Sequence, residues 1–205
     1  MRSAIGLVLV LVPSVGGGDG AVDSLVAEVR RARSGVQAVD AAFEQDKEMA
    51  VFAETMRSRG RLRVLGADRL RWDTEAPDRS SFVYDRGSVV FRGPDGRVEA
   101  LGATGLFGAV LGDLGAFLGG DLGGLARRWR LAAEAGVDGA ATLIAMPTDA
   151  ALRRRVREVR VEFARDRRVV RSLVLAEPNG DRSVVRFARW SVGARIAAQD
   201  FRIGQ

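Results

Sequence analysis

The stretch that decides the fold runs from Phe43 to Pro77: Phe43-Glu44-Gln45-Asp46-Lys47, then Gly60-Arg61-Leu62-Arg63-Val64, then Leu70-Arg71-Trp72-Asp73, closing at Pro77. Apolar and charged residues alternate through it. A period of two belongs to β-strands with one dry face and one wet face. Working outward, Val36 to Lys47 alternates imperfectly, with Val39, Ala41 and Phe43 on one side, and Val51 to Leu65 and Arg69 to Glu75 follow as strands. Ser81 to Tyr84 and Ser88 to Phe91 form a hairpin around Asp85-Arg86-Gly87, and Arg97 to Leu101 pairs back after Gly93-Pro94-Asp95-Gly96.

The pattern changes at Gly102. Phe107, Val110, Leu111, Leu114 and Leu118 keep helical spacing in an almost uncharged segment. Gly108, Gly112, Gly115 and Gly119 interrupt it, each costing a helix about 1 kcal/mol relative to Ala. Leu122 to Trp129 reads as a further short helix. Strands return at Arg130 to Glu134, Ala141 to Met146 and Arg157 to Phe163. Val169 to Glu177 and Ser183 to Trp190 form a hairpin for which Asn179-Gly180 predicts a type I′ turn. Phe201 closes the chain in a last short strand. Upstream, Ala21 to Ser34 reads as an amphipathic helix with Val22, Leu25, Val26 and Val29 on one face, ended by Gly35. The order is helix, about five strands, one or two apolar helices, and about five more strands. It predicts an α+β, mainly β fold, a strongly curved antiparallel sheet with helices on its concave face.

Composition narrows the chemistry. The chain has no Cys and no His, a single Lys (Lys47) and a single Tyr (Tyr84). Ser-His-Asp triads, Cys-His nucleophiles and His- or Cys-ligated zinc are therefore excluded. No catalytic residue, metal site or cofactor is expected. Asp73 and Glu75 share a wet strand face with Arg71 and read as surface charge. Gly119-Gly120-Asp121-Leu122-Gly123-Gly124 lacks the Lys-Ser/Thr ending of a phosphate loop.

Met1-Arg2, an apolar run from Ala4 to Val12, Pro13 and small residues to Ala21 have the layout of a secretory signal. The run is far short of the ~20 residues a membrane span needs. Removing residues 1–20 leaves 185, enough for one domain, 21–205, with a sizeable core. Without Cys there is no lipid anchor, so a soluble exported protein is expected. The net charge of +6 favours anionic partners; nucleic acid is not expected for an exported chain. Nine Arg fall between Arg153 and Arg171. They fit a solvated strand face, or a patch for anionic headgroups or an acidic partner.

The order and spacing of Phe43-x-Gln45-x-Lys47, Gly60-x-Leu62, Leu70-x-Trp72, Pro77, Tyr84-Asp85-x-Gly87, Met146-Pro147 and Phe201 resemble the LolA family, periplasmic carriers of outer-membrane lipoproteins. The resemblance implies an unclosed β-barrel with helices as a lid over a hydrophobic cavity for acyl chains. It implies a monomeric chaperone that takes acylated lipoproteins from an inner-membrane ABC-type releasing complex to an outer-membrane lipoprotein acceptor. Cavity candidates are Val39, Phe43, Leu62, Val64, Leu70, Trp72, Phe91, Val161 and Phe163. Lid candidates are Leu25, Val29, Leu106, Phe107, Val110, Leu111, Leu114 and Phe117. Other readings are a carrier of another lipid or glycolipid for a dedicated exporter, and a lipoprotein-sensing regulatory domain. The chain departs from the family where an Arg often precedes a Pro in the turn between the second and third strands; here Gly66-Ala67 stand there, with Arg63 and Arg69 as nearby substitutes.

Overall fold

The computed structural model describes residues 19–51, 54–101 and 106–203, and of 106–111 the backbone alone. The expected signal, residues 1–20, lies almost wholly outside this range. Helix α1 (Asp19–Ala32) leads into six strands: β1 (Ala38–Glu48), β2 (Thr55–Leu65), β3 (Arg69–Ala76), β4 (Ser80–Asp85), β5 (Ser88–Arg92) and β6 (Val98–Leu101). Helix α2 (Leu106–Gly119) and a 3₁₀ segment (Leu122–Arg127) follow. Five more strands complete the sheet: β7 (Trp129–Ala135), β8 (Ala141–Pro147), β9 (Glu158–Phe163), β10 (Val170–Ala176) and β11 (Arg182–Val192), with the short helix α3 (Ala150–Arg153) between β8 and β9.

All eleven strands form one antiparallel sheet in the order β6-β5-β4-β3-β2-β1-β11-β10-β9-β8-β7. β6 and β7 are its two edges and do not pair, so the curved sheet is an unclosed barrel. The chain passes from one edge to the other through α2.

Three sequence expectations are corrected. Trp129 begins β7 instead of ending a helix. Phe201 lies in a 3₁₀ turn (Ala198–Phe201), because Arg71 reaches across and donates to the Asp200 carbonyl at 2.9 Å, curling the segment against β3 and β4. The β10–β11 loop is not type I′. Only Gly180 has a positive φ, and Glu177 accepts from Gly180 at 3.1 Å. Pro178 supplies the fixed φ of a type I turn and has no N–H for a ladder bond, so the loop takes the longer form with glycine in the left-handed position. The two-residue turn with both φ positive is instead Arg86-Gly87, between the paired Asp85 and Ser88.

Candidate functional site

The ladder puts the expected cavity residues on one face. Val39 stands opposite Val64, which stands opposite Leu70; Leu62 faces Trp72, and Trp72 faces Phe82, which faces Phe91. Val161 reaches the same face through Leu173 and Val185, and Phe163 follows by alternation. This is the concave face. Leu25 and Val29 of α1 and Phe117 of α2 join most of these residues in one buried cluster. The helices divide the cover: α2 packs on β2, β3 and β4, while α1 packs on β7 and β8.

Within that cover lies an apolar cavity of about 180 Å³, lined by Trp72, Leu114, Phe117, Trp129, Leu173 and Val185, with Gln45 and Ser183 among its polar groups. Of the expected residues, Trp72, Leu114 and Phe117 line it. Val39 and Val64 line a second, more polar cavity of about 330 Å³ beside the C-terminal ends of both helices. Leu62, Leu70, Val161 and Phe163 are wholly buried and form the packed floor. Phe91 is half-buried outside the main cluster, against Phe82. The side chains of Leu106, Phe107, Val110 and Leu111 lie outside the described part of the structure. The sequence reading missed Trp129, Leu173, Leu175 and Val185. The alternation of β10 and β11 carried the last three; Trp129 was hidden by its assignment to a helix.

An aromatic row supports the floor. Phe43 and Trp72 have ring centroids 4.3 Å apart, Trp72 and Phe187 6.2 Å, and Phe187 and Trp190 5.4 Å. Phe43 and Phe187 are register partners on β1 and β11. Offset and edge-on pairs at these separations add about 0.5–1.5 kcal/mol each beyond their buried area.

Two polar contacts hold α2. Buried Asp113 accepts from Trp129 Nε1 at 2.7 Å and pairs with Arg128 Nη2. At the helix C-terminus, Arg33 donates through Nη1 to the Leu118 carbonyl. A cation there complements the helix dipole and meets a carbonyl without an intrahelical partner. Arg33 is 6% exposed, and its Nε and Nη2 have no hydrogen-bond partner among the described residues. Burial pulls its pKa down to about 10, partly opposed by Asp166. The side chain stays charged at neutral pH and bears the cost of desolvation. Arg63 and Arg69 do not take this place: Arg63 pairs with Asp40 and Asp73, and Arg69 with Asp85, all on the outer face. The guanidinium that reaches the C-terminus of α2 comes from the turn after α1, which no strand-turn alignment points to.

Two of the glycines of α2, Gly112 and Gly119, have a packing reason. A Cβ on Gly112 would lie 3.1 Å from the Tyr84 hydroxyl, one on Gly115 3.5 Å from the Ala67 carbonyl, and one on Gly119 3.1 Å from the Gly66 carbonyl. Their spacing makes a stripe that lets the helix backbone settle on the β2–β3 turn. Small residues at Gly66-Ala67 complete that fit.

Among the described residues no group of three His, Cys, Asp or Glu side chains could hold a metal ion, and no helix is long and apolar enough to cross a membrane.

Residues 34–204 match the family described as outer membrane lipoprotein carrier protein LolA. No curated protein matches the sequence. Solved structures share the fold at low identity. A conserved protein of Thermus thermophilus is 9% identical, with TM-score 0.52, over 90% of this chain and 95% of its own. A domain from Vibrio parahaemolyticus described as a candidate outer membrane lipoprotein-sorting protein is 14% identical, with TM-score 0.50, over 87% and 94%. A DUF1329 family protein from Desulfovibrio piger is 9% identical, with TM-score 0.50, over 88% and 97%.

Proposed function

Because the chain belongs to the LolA family of outer membrane lipoprotein carriers, we propose that it is a non-enzymatic periplasmic chaperone, exported by a cleaved signal at residues 1–20, that covers lipoprotein acyl chains and carries them from the inner to the outer membrane. Its partners are then acylated lipoproteins, an inner-membrane ABC-type releasing complex and an outer-membrane lipoprotein acceptor. The observation that carries this reading is the apolar cavity beneath α2, in a barrel whose edges stay apart.

Each buried methylene of an acyl chain contributes about 0.8 kcal/mol. A multiply acylated protein therefore crosses water only if that surface is covered. The cavity of about 180 Å³ is near the size that accepts a benzene ring, about 150 Å³. It takes the first part of one chain. Accommodating more requires α2 to leave its seat, with Leu114 and Phe117 turning from core to binding surface.

The test is release. Mature protein added to spheroplasts should bring acylated lipoproteins into the soluble fraction, bound to it. If no lipoprotein appears but native mass spectrometry finds another lipid on the purified protein, the lipoprotein reading fails in favour of a carrier for that lipid.

Leu114→Gln puts an amide into the apolar cavity, which costs about 1–3 kcal/mol where no partner meets it. Binding of a fluorescent fatty acid should weaken about tenfold, the equivalent of 1.4 kcal/mol. Val137→Gln, at a side chain 81% exposed, should leave binding unchanged. Equal affinities for the two variants would place the fatty acid elsewhere.

A further inference from the structure

Seven of the nine arginines between 153 and 171 separate into two sets in the structure. Arg160 pairs with Glu134 and Glu158, Arg167 with Glu28, and Arg171 with Glu162. Arg153, Arg154, Arg155 and Arg157 are exposed and form no ion pair within 4 Å among the described residues. Arg130, brought in from β7, is likewise exposed and unpaired. Arg130, Arg153 and Arg157 frame one groove of about 310 Å³, whose remaining lining is Met146, Pro147, Val156 and Pro178. Arg153 is steadied by a 2.9 Å bond from Nη1 to the Thr148 carbonyl, and Thr148 N–H donates to the Arg128 carbonyl at 2.8 Å. The one carboxylate on α3, Asp149, accepts from the N–H groups of Ala151 and Leu152 at the start of that helix.

We propose that this groove docks an acidic segment of a protein partner, carboxylates on the arginine rim and an apolar side chain on the Met146–Pro147–Val156–Pro178 floor. Three features select that occupant. The rim carries an excess of positive charge that Asp149, beside Arg153 and Arg154, offsets only in part, so a partner must bring negative charge. Its cations are guanidiniums, whose planar forks match carboxylates two bonds at a time. The surface is concave with an apolar floor, which suits a side chain flanked by acids better than a flat bilayer of headgroups. Position adds a consequence. Arg130 lies one residue beyond Trp129, which lines the apolar cavity from the other face of β7. A segment bound here rests on the back of the edge strand to which Asp113 ties α2. The inference stands on this surface alone and holds whatever lipid the cavity takes.

The probe is a labelled peptide alternating Glu and Leu, with a Gln-Leu peptide of equal length as reference, followed by fluorescence anisotropy against the full-length chain. The acidic peptide should bind, more weakly as salt rises. The triple variant Arg153→Glu/Arg154→Glu/Arg157→Glu should weaken it by about tenfold or more. A control of equal net charge, Arg171→Glu/Arg182→Glu/Arg195→Glu, should change it by no more than about twofold. If the charge reversal lowers the melting temperature, the corresponding Gln variants replace both sets. Equal losses in the two triple variants would reduce the effect to net charge and overturn the proposal. So would equal binding of the two peptides. Binding of phosphatidylglycerol vesicles that depends on Arg153, Arg154 and Arg157, without peptide binding, would assign the groove to a membrane surface instead.

Discussion

Gly60→Ala should lower the melting temperature by about 10 °C, the equivalent of roughly 3 kcal/mol in a domain of this size. A Cβ at this position would stand 1.9 Å from the Asp73 carbonyl oxygen and 2.9 Å from Phe43 Cζ. The first neighbour is backbone of the adjoining strand and cannot turn away. The cause lies in the register. Arg59 pairs with Ala76 and Gly60 with Thr74, so Glu75 is an extra residue and β3 bulges toward β2 at this point. The second neighbour is the ring that stacks on Trp72. A methyl group must therefore move the backbone of the bulge or the buried ring of Phe43. Gly124→Ala is the control, since its Cβ would meet nothing nearer than Arg127 Nη2 at 3.9 Å. An unchanged melting temperature for Gly60→Ala, measured by calorimetry beside that control, would mean that the two strands do not approach this closely.

Arg33→Met should act in the opposite direction on stability and strongly on exchange. Arg33 is buried with two nitrogens unpartnered among the described residues, and burial pulls its pKa down to about 10. At 1.36 kcal/mol per unit, that depression corresponds to about 3 kcal/mol of strain on the charged form in the folded protein. The sign follows from linkage. The folded state holds this proton less tightly than the unfolded state, so the penalty is full below about pH 10 and is relieved as pH rises from there toward the ordinary arginine value. At neutral pH methionine removes it, keeps an unbranched stem for packing, and gives up one bond to the Leu118 carbonyl. Replacing buried charge with apolar groups of similar volume is neutral or stabilising by about 1–4 kcal/mol. A net gain of about 1.5 kcal/mol raises the melting temperature by some 3–6 °C. The same gain favours the seated position of α2 and, on the carrier reading, slows lipid uptake and transfer about tenfold. Hydrogen exchange in residues 112–119 should slow with it. Faster exchange in α2, or a lower melting temperature, would show that the bond to Leu118 outweighs the desolvation of Arg33.

The register of the concave face was legible because period-two alternation survives through β1, β2 and β3 and again through β9, β10 and β11. Both hairpin positions were legible from their Gly-containing turns, though not the turn type at Asn179-Gly180, where Pro178 decides. What alternation does not carry is which inner-face residues meet empty space. Leu62, Leu70, Val161 and Phe163 obey the same pattern as Trp72 and are packed solid, while Leu173, Leu175 and Val185 border the cavity. That distinction depends on where a helix far away in sequence comes to rest. The glycines of α2 show the same limit. In sequence they read as breaks in a helix; against Tyr84 and Gly66, Gly112 and Gly119 are points of closest approach. Arg33 was invisible as a partner of the helix because its contact spans 85 residues of chain.

Eleven is an odd number, and that has a mechanical meaning. In a run of neighbours that are all antiparallel, the first and last strands point the same way. β6 and β7 therefore cannot zip together through the ladder type used everywhere else in this sheet. The seam is built in by parity. The peptide linking its two banks is the one that contains α2, so the helix is also a strap across the gap. Spreading the banks draws on the strap, and lifting the strap slackens the banks. On the carrier reading, entry through the seam and displacement of the cover are one motion, and a staple placed across either should arrest both.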